Sequence, residues 1–570
     1  MANIVESLSK LDTLPKRVQF LADNCPDREL FVFYEGENRT SFTCEQVVKL
    51  AGRFASRLRH RYGFLRDDVI ANTLPNSPER VISDLGITLA GFNDLIQRTI
   101  ELNYQSISLQ ILLADGSDIF LSATNSRCKG IVMKPPGESS DWLIFNPYIT
   151  GTVSDDITKL SCDKIPDLTT IIKVSRNSQR SRKPFLEDLQ DSTDDIFIDL
   201  SVRPQDIHYV FSTSGSTGYS KLVPRTQAEA IDIAADTAFS KNVQSGTSVF
   251  YCDRSLGWTG GYPFTTFCLG EKRVLQDWYS RSGLKTGEEI WNAISREQCN
   301  ISGIRPKDVD IVVKYIDSIG GTDYRMQALI CGGQPVTKSQ VTSQLTMSET
   351  VIVIYASTEG PLLATAVIED PNFEDFCCGK PAPGVELKII DDHGDECKPR
   401  QTGTILAKGR NLFKGYFNRL EDPDPNTVNS FTKDGWFNTE DLGFLDEEGN
   451  IYVLGRGKDT ITYGNYVFYP VWLEAEIRKH PDIADAVVLP VSDPVRYHEI
   501  CACVTPVSGS NVTEDQLKSY CESIFIADLA NDQTPMPKYF MVLDRFPETF
   551  TGKPDKQRLR KLAEERFGVK

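Results

Sequence analysis

No run of about eighteen consecutive apolar residues occurs in the 570-residue chain, so a membrane-spanning helix is not expected. No C-x-x-C pair occurs among its 14 cysteines, which argues against a zinc site or disulfide framework and for reduced thiols in a cytosol-like compartment. Histidine is scarce, 5 residues, and His208 in a strand-like run, His393 in a Gly/Asp turn and His480 at a helix end all read as structural. Chemistry led by a histidine nucleophile or base is therefore not indicated. Basic charge is in deficit, 62 residues against 79 acidic for a formal net of -17, which disfavours nonspecific binding to nucleic acid or anionic membranes while leaving room for a local basic pocket. The first eight residues carry no basic segment followed by an apolar one, and the last four, Phe567-Gly568-Val569-Lys570, are not a Ser-Lys-Leu ending. The expectation is a cytoplasmic protein without a membrane span or a nucleic-acid partner.

What is present begins with size. A chain of 570 residues exceeds one compact core, and two or more domains are expected. Between about 40 and 112, helical apolar periodicity at 50–58 alternates with a strand-like Val69-Ile70-Ala71, as in an α/β layer, and Pro75 separates that strand from the next helix. The runs 207–211 and 351–354 read as strands, the second as a buried parallel one, and each leads at once into a polar loop. Ligands of open α/β sheets bind beyond such carboxyl ends. After Gly455-Arg456-Gly457-Lys458-Asp459 the character changes: Pro470 opens a helix to Ile477 stopped near His480-Pro481, a strand begins at Ala484, and Thr513 with Gln516 forms a capping box. The predicted architecture is α/β, with layered sheets in a large N-terminal domain, residues 1–457, and a small mobile α+β domain, residues 458–570.

The loop 212–221 is the first candidate site. Thr213, Ser214, Gly215, Ser216, Thr217, Gly218 and Lys221 combine hydroxyl donors, glycines that let backbone N–H groups approach an anion, and one mobile cation. The spacing is not that of a Walker A loop. Alone, the segment is also compatible with a Ser/Gly-rich surface turn.

Further segments follow in order: Cys331-Gly332-Gly333-Gln334-Pro335, Tyr355-Ala356-Ser357-Thr358-Glu359, Cys378-Gly379-Lys380-Pro381-Ala382-Pro383-Gly384, the stretch 434–443 ending in Asp441-Leu442-Gly443, Gly455-Arg456 with Lys458-Asp459, and Thr549-Phe550-Thr551-Gly552-Lys553. Together with the loop they resemble the motifs of the adenylate-forming superfamily of acyl-CoA synthetases, aryl-acid ligases, carrier-protein adenylation domains and firefly-type luciferases. The resemblance spans nearly the whole chain. It implies ATP, Mg²⁺ and CoA as cofactors, with the loop around the β- and γ-phosphates and Gly333, Gln334, Pro335, Tyr355, Ala356 and Ser357 around adenine. Thr358 would serve the α-phosphate, Glu359 the metal, and Asp441 and Arg456 the ribose. Lys553 would be the adenylation lysine, Lys458 the hinge, and Gly332 and Trp258 would border the acid.

Those residue types suit the chemistry. A carboxylate attacking the α-phosphorus approaches another anion, so positive charge and a metal must neutralise the oxygens of the pentavalent state. A hard cation prefers carboxylate oxygen such as that of Glu359. Trp258 is equally compatible with core packing, and Cys331, without a partner base, reads as a small packed residue.

Three positions depart from the resembling pattern: Ala356 and Glu440 stand where glycine is usual, and Asn465 replaces a glycine in the loop that would line the thiol tunnel. Thr462 stands where many members carry lysine. Glu440 is expected to add charge beside Asp441 and to weaken nucleotide binding. The activity implied is formation of an acyl-adenylate from a medium-chain fatty or aryl acid, then a CoA thioester. Two segments pull apart on the acceptor: 221–226 resembles aryl acid-AMP ligases that load a separate carrier protein, while Gly257-Trp258-Thr259-Gly260 resembles short- and medium-chain acyl-CoA synthetases. The same superfamily also holds luciferase-like oxygenases, and the three departures are compatible with a silent nucleotide-binding homologue.

Overall fold

The computed structural model describes residues 2–66, 68–91, 107–110, 116–139, 142–153, 156–178, 183–213, 221–237, 248–280, 286–410, 412–421, 423–463, 466–493, 497–507, 509–525, 535–548 and 553–569. Local chemistry starts its first long helix, Cys44–Ser56. The Thr43 hydroxyl accepts from Gln46 N while the Gln46 side chain accepts from Thr43 N, so donors left open at a helix start are satisfied reciprocally. The helix begins before the predicted 50–58 and runs on into a π-turn, Arg57–Arg61.

Ser77 caps a second helix, Pro78–Leu89, which is buried along its entire length. Its charged residues are inside because they are paired: Arg80 Nε meets Asp84 Oδ2 at 2.8 Å, and Asn72 Nδ2 donates to Asp84 Oδ1 at 2.8 Å. Leu50, Ala51 and Phe54 of the first helix and Val81, Ile82 and Leu85 of the second share one hydrophobic cluster with Phe31, Ile70 and Tyr209. Phe31 belongs to a nine-stranded sheet, and Ile70 and Tyr209 to an eight-stranded one, so helices and two sheets are layered around a common core.

In the nine-stranded sheet Met326–Gly332 and Ser348–Tyr355 run parallel side by side. The apolar run Val351–Ile354 was expected as a parallel strand; on its other flank it pairs antiparallel with Ala364–Ile368, because the short connection 356–363 returns the chain as a hairpin-like neighbour. In the eight-stranded sheet Ile207–Ser212 lies parallel to Ile107–Gln110 and antiparallel to Leu222–Thr226. A four-stranded antiparallel sheet ends in Phe437–Leu445 and Ile451–Arg456.

After the 3₁₀ turn Gly457–Asp459, Ile461–Tyr463 enters a separate five-stranded sheet. The predicted helices are here, Pro470–Ile477 and Glu514–Ile524, the latter with both halves of its capping box made by Thr513 and Gln516. Their apolar faces pack with Val488, Ala502 and Val504 in a core of their own. The chain thus has a large N-terminal and a small C-terminal α/β unit.

Candidate active site

Register brings the motif segments together. Gly332 and Ile354 are partners at the ends of parallel strands, so the turn after Gly332 and the turn after Tyr355 leave the sheet at one edge. A side chain at Gly332 would strike the Ile354 carbonyl oxygen at 2.6 Å, and Gly333 adopts φ +83, a conformation that strains L residues. A Cβ at Gly333 would lie 3.6 Å from Trp258 Cη2 and 3.9 Å from Lys553 Cε. The Lys553 stem therefore lies near the Gly333 backbone with the Trp258 indole beside it. Gln334 is exposed and Pro335 half-buried just beyond.

Tyr355, buried at its strand end, donates its hydroxyl to Asp441 Oδ2 at 2.7 Å. Asp441 pairs in register with Arg456 on the adjacent strand, whose Nε approaches Asp441 Oδ1 at 3.1 Å while Nη1 donates to the Thr439 carbonyl at 2.7 Å. Burial pushes the Asp441 carboxyl above its ordinary range, opposed by the Arg456 charge and the Tyr355 hydrogen bond. The tyrosine hydroxyl and arginine hold a carboxylate that can accept from a sugar hydroxyl pair.

Thr358 is buried, and its carbonyl accepts from Arg225 Nη2 at 2.7 Å. Arg225 is fully buried, and desolvation lowers its guanidinium to about 10. Ser357 closes the turn by donating from N to the Gly360 carbonyl at 2.9 Å and accepting at Oγ from Gly360 N at 3.0 Å. Glu359 is half-buried, and its Oε1 accepts from the Tyr416 hydroxyl at 3.0 Å. The Tyr416 ring lies 5.0 Å from Lys221 Nζ. Ala356 does not take the left-handed conformation, so alanine in place of glycine is unstrained there.

The base of the loop 212–221 is fixed on both sides: Thr213 N donates to the Lys221 carbonyl at 2.8 Å and Lys221 N to Thr213 Oγ1 at 3.3 Å. Ser214, Gly215, Ser216, Thr217 and Gly218 lie outside the described residues, as do Asn465 and the 549–552 part of the lysine motif. Thr462 N donates to His498 Nδ1 at 3.1 Å.

Glu440 adopts φ +60, and its carboxylate stands 3.9 Å from Lys221 Nζ and 3.8 Å from Arg456 Nη1. Its charge falls between two cations as well as beside Asp441. Lys458 sits in the turn that leads out of the four-stranded sheet, and burial lowers its ammonium despite Asp459 beside it. Lys553 is reached by solvent yet surrounded by protein; this desolvation, then repulsion from Arg456 and Arg254, pushes its ammonium down to about 8.

Cys331 is buried with Gln344 Nε2 donating to its Sγ at 3.2 Å, a packed thiol with no base beside it among the described residues. His208 is buried with Nδ1 on Gln227 Nε2 at 3.1 Å, as its strand position implied. Among the described residues no group of three or more His, Cys, Asp and Glu could cage a metal. The donor set fits Mg²⁺ held by Glu359 together with phosphate oxygens, the usual arrangement for that ion. Arg225, Arg254 and Tyr416 had no role assigned from the sequence; Arg225 and Tyr416 are single residues whose partners, Thr358 and Glu359, are brought in from another motif.

A family model described as AMP-binding enzyme matches residues 19–417, and one described as AMP-binding enzyme C-terminal domain matches 473–553. The chain is 26% identical over 565 residues to oxalate–CoA ligase of Arabidopsis thaliana, covering 95% of this chain and 97% of that protein. It is 24% identical over 588 residues to the medium-chain acyl-CoA ligase ACSF2, mitochondrial, of Rattus norvegicus, covering 95% and 86%. Among solved structures, O-succinylbenzoate coenzyme A synthetase (MenE) from Bacillus subtilis, in complex with ATP and magnesium ion, superimposes with a TM-score of 0.72 at 20% identity, covering 95% of this chain and 99% of that one.

Proposed function

This chain belongs to the AMP-binding enzyme family, and on that premise we propose that it is an ATP-dependent acid–thiol ligase. A carboxylate oxygen of the acid attacks the α-phosphorus of ATP, the bond to the β-phosphate oxygen breaks, and pyrophosphate leaves. The CoA thiolate then attacks the acyl carbon of the adenylate, the bond to the phosphate oxygen breaks, and AMP leaves. The observation that carries this reading is the approach of Lys553 to Gly333 and Trp258 beside the Tyr355–Asp441–Arg456 set.

In this reading Asp441 and Arg456 hold the ribose, Tyr355 and the backbone at Gly333 and Gln334 flank adenine, and Thr358 donates to the α-phosphate. Lys221 and the loop before it hold the β- and γ-phosphates. Lys553 stabilises charge that grows as the carboxylate meets phosphorus. Glu359 would be the protein ligand of Mg²⁺, which when bound would supply neutralisation of phosphate oxygens. The boundary of the small domain falls at 457/458, where the chain passes from one sheet to another, and Lys458 absorbs the backbone change when that domain turns. Fourteen cysteines without a disulfide support a cytosolic location.

The test is acid-dependent exchange of labelled pyrophosphate into ATP, with acids screened in the presence and absence of CoA. Exchange with thioester formation supports the reading. Exchange without transfer to CoA moves the acceptor to a separate carrier protein, as the 221–226 resemblance suggests, and no exchange with any acid makes the chain a silent nucleotide binder.

A further inference from the structure

Arg254 is a half-buried guanidinium at the site with no carboxylate partner among the described residues. The chain has acidic residues in excess, 79 against 62 basic, yet none is brought to this cation among the described residues. Of its five N–H donors, one is directed at the Gly332 carbonyl across a long 3.5 Å, and the guanidinium carbon lies 5.5 Å from the Trp258 ring centre. Arg456, by contrast, has Asp441, and Arg225 has the Thr358 carbonyl.

The arginine's backbone is held in place. Asn76 Nδ2 donates to the Arg254 carbonyl at 2.8 Å and Asn76 Oδ1 accepts from Leu256 N at 2.8 Å. Gly261 closes the loop so tightly that a Cβ there would be 2.2 Å from the Ser255 carbonyl oxygen. The guanidinium is thus presented from a fixed loop at the carboxyl end of the strand Val249–Cys252, next to Gly332.

Two cations therefore serve one stretch of backbone. Lys553 lies against Gly333, and Arg254 points at Gly332. Resting on the ligase reading, in which Lys553 meets the reacting carboxylate, we propose that the acid substrate is a dicarboxylic acid, aliphatic or aryl, whose second carboxylate Arg254 receives. The planar fork matches a carboxylate with two parallel N–H···O bonds, and Trp258 holds the guanidinium face so that its edges stay available. No bond changes at the second carboxylate; it fixes which end of the acid is presented to ATP.

The experiment measures acid-dependent pyrophosphate exchange and thioester formation for length-matched pairs, glutarate against pentanoate and terephthalate against 4-methylbenzoate. It uses the full-length wild type, Arg254→Met and Arg254→Lys, with thermal unfolding as the check on folding. Wild type is expected to favour one diacid at least about tenfold in kcat/KM, and Arg254→Met to reduce the diacid-to-monoacid ratio by roughly 10- to 100-fold, the loss of a bidentate charge-assisted contact. Arg254→Lys should restore part of the ratio. A wild type that prefers the monoacids overturns this inference and leaves the ligase reading standing. Equal losses for both acids with a raised KM for ATP assign Arg254 to the nucleotide and also overturn it. Exchange with none of the acids of a broad screen overturns the ligase reading and this inference with it.

Discussion

The Glu440 carboxylate stands 3.9 Å from the Lys221 ammonium, joining the strand that carries Asp441 to the base of the loop 212–221. Its side chain is 47% exposed, so the pairing itself contributes little stability. The backbone at φ +60 is the larger effect, since a left-handed conformation costs a non-glycine residue about 1–2 kcal/mol. Glu440→Gly should therefore raise the denaturant midpoint, by roughly 1 kcal/mol of stability after the entropy of glycine is subtracted. It should also lower the KM for ATP a few-fold, because Lys221 loses this carboxylate neighbour and Arg456 keeps Asp441 alone. Glu440→Gln retains the strain and should show the KM effect alone. An unchanged KM in both variants would refute competition between this carboxylate and the nucleotide.

Lys553 gives a signed pH prediction. Its folded ammonium sits near 8, below the ordinary 10.5, so the protonated form is disfavoured in the nucleotide-free protein. Below about 8 the charge opposes the fold; as pH rises from 8 to 10.5 that penalty disappears. Binding a triphosphate beside it favours the charged form and pulls the value upward. Near pH 8.5, about half a unit above the folded value, ATP binding should thus take up a fraction of a proton, visible as a dependence of the calorimetric heat on the buffer's ionisation enthalpy. Lys553→Met should remove that uptake and acid-dependent pyrophosphate exchange together. Uptake that persists in Lys553→Met would locate the titrating group elsewhere.

How far the sequence could be read followed from how local each signal is. Thr513 with Gln516, and Pro470 before an apolar face, announce helices through bonds made within one turn, and both helices are present. The strand at 207 was legible from its own largely apolar run. Pairing was not: the run at Val351 shows burial but not that one neighbour would be antiparallel. At the site, ordered motifs brought out Tyr355, Asp441, Arg456 and Lys553, but not the Tyr355–Asp441 bond, which spans 86 positions. Arg225 and Tyr416 escaped because their partners Thr358 and Glu359 lie 133 and 57 positions away, and a lone arginine or tyrosine carries no spacing to read. Glu440 was legible as a departure, while its two cationic neighbours required the fold.

Tyr416→Phe isolates one hydroxyl. The ring 5.0 Å from Lys221 Nζ is retained by phenylalanine, while the donor to Glu359 Oε1 at 3.0 Å is lost. A hydrogen bond to a charged group contributes about 1.5–3 kcal/mol, and partial exposure of Glu359 reduces that figure. The expected result is a several-fold rise in the Mg²⁺ concentration needed for half-maximal pyrophosphate exchange, with the KM for the acid little altered. A Mg²⁺ requirement equal to wild type would mean that Glu359 is oriented without Tyr416 or does not hold the metal.

Arg225 separates stability from turnover. Its guanidinium is fully buried and lowered to about 10 from the ordinary 12.5, so at neutral pH the charged form is held against a desolvation penalty. Replacing it by methionine removes that penalty but leaves the Thr358 carbonyl without its 2.7 Å donor, and the two changes oppose one another. Arg225→Met is therefore expected to alter the unfolding free energy by less than about 2 kcal/mol. The turn that carries Thr358 and Glu359 loses its anchor, and a displacement of about 1 Å there is enough to reduce the rate about 100-fold. Turnover should fall in kcat for adenylation with the thioester step from preformed acyl-adenylate less affected. A large loss of stability with full activity per folded molecule would make Arg225 a structural cation and not a positioning residue.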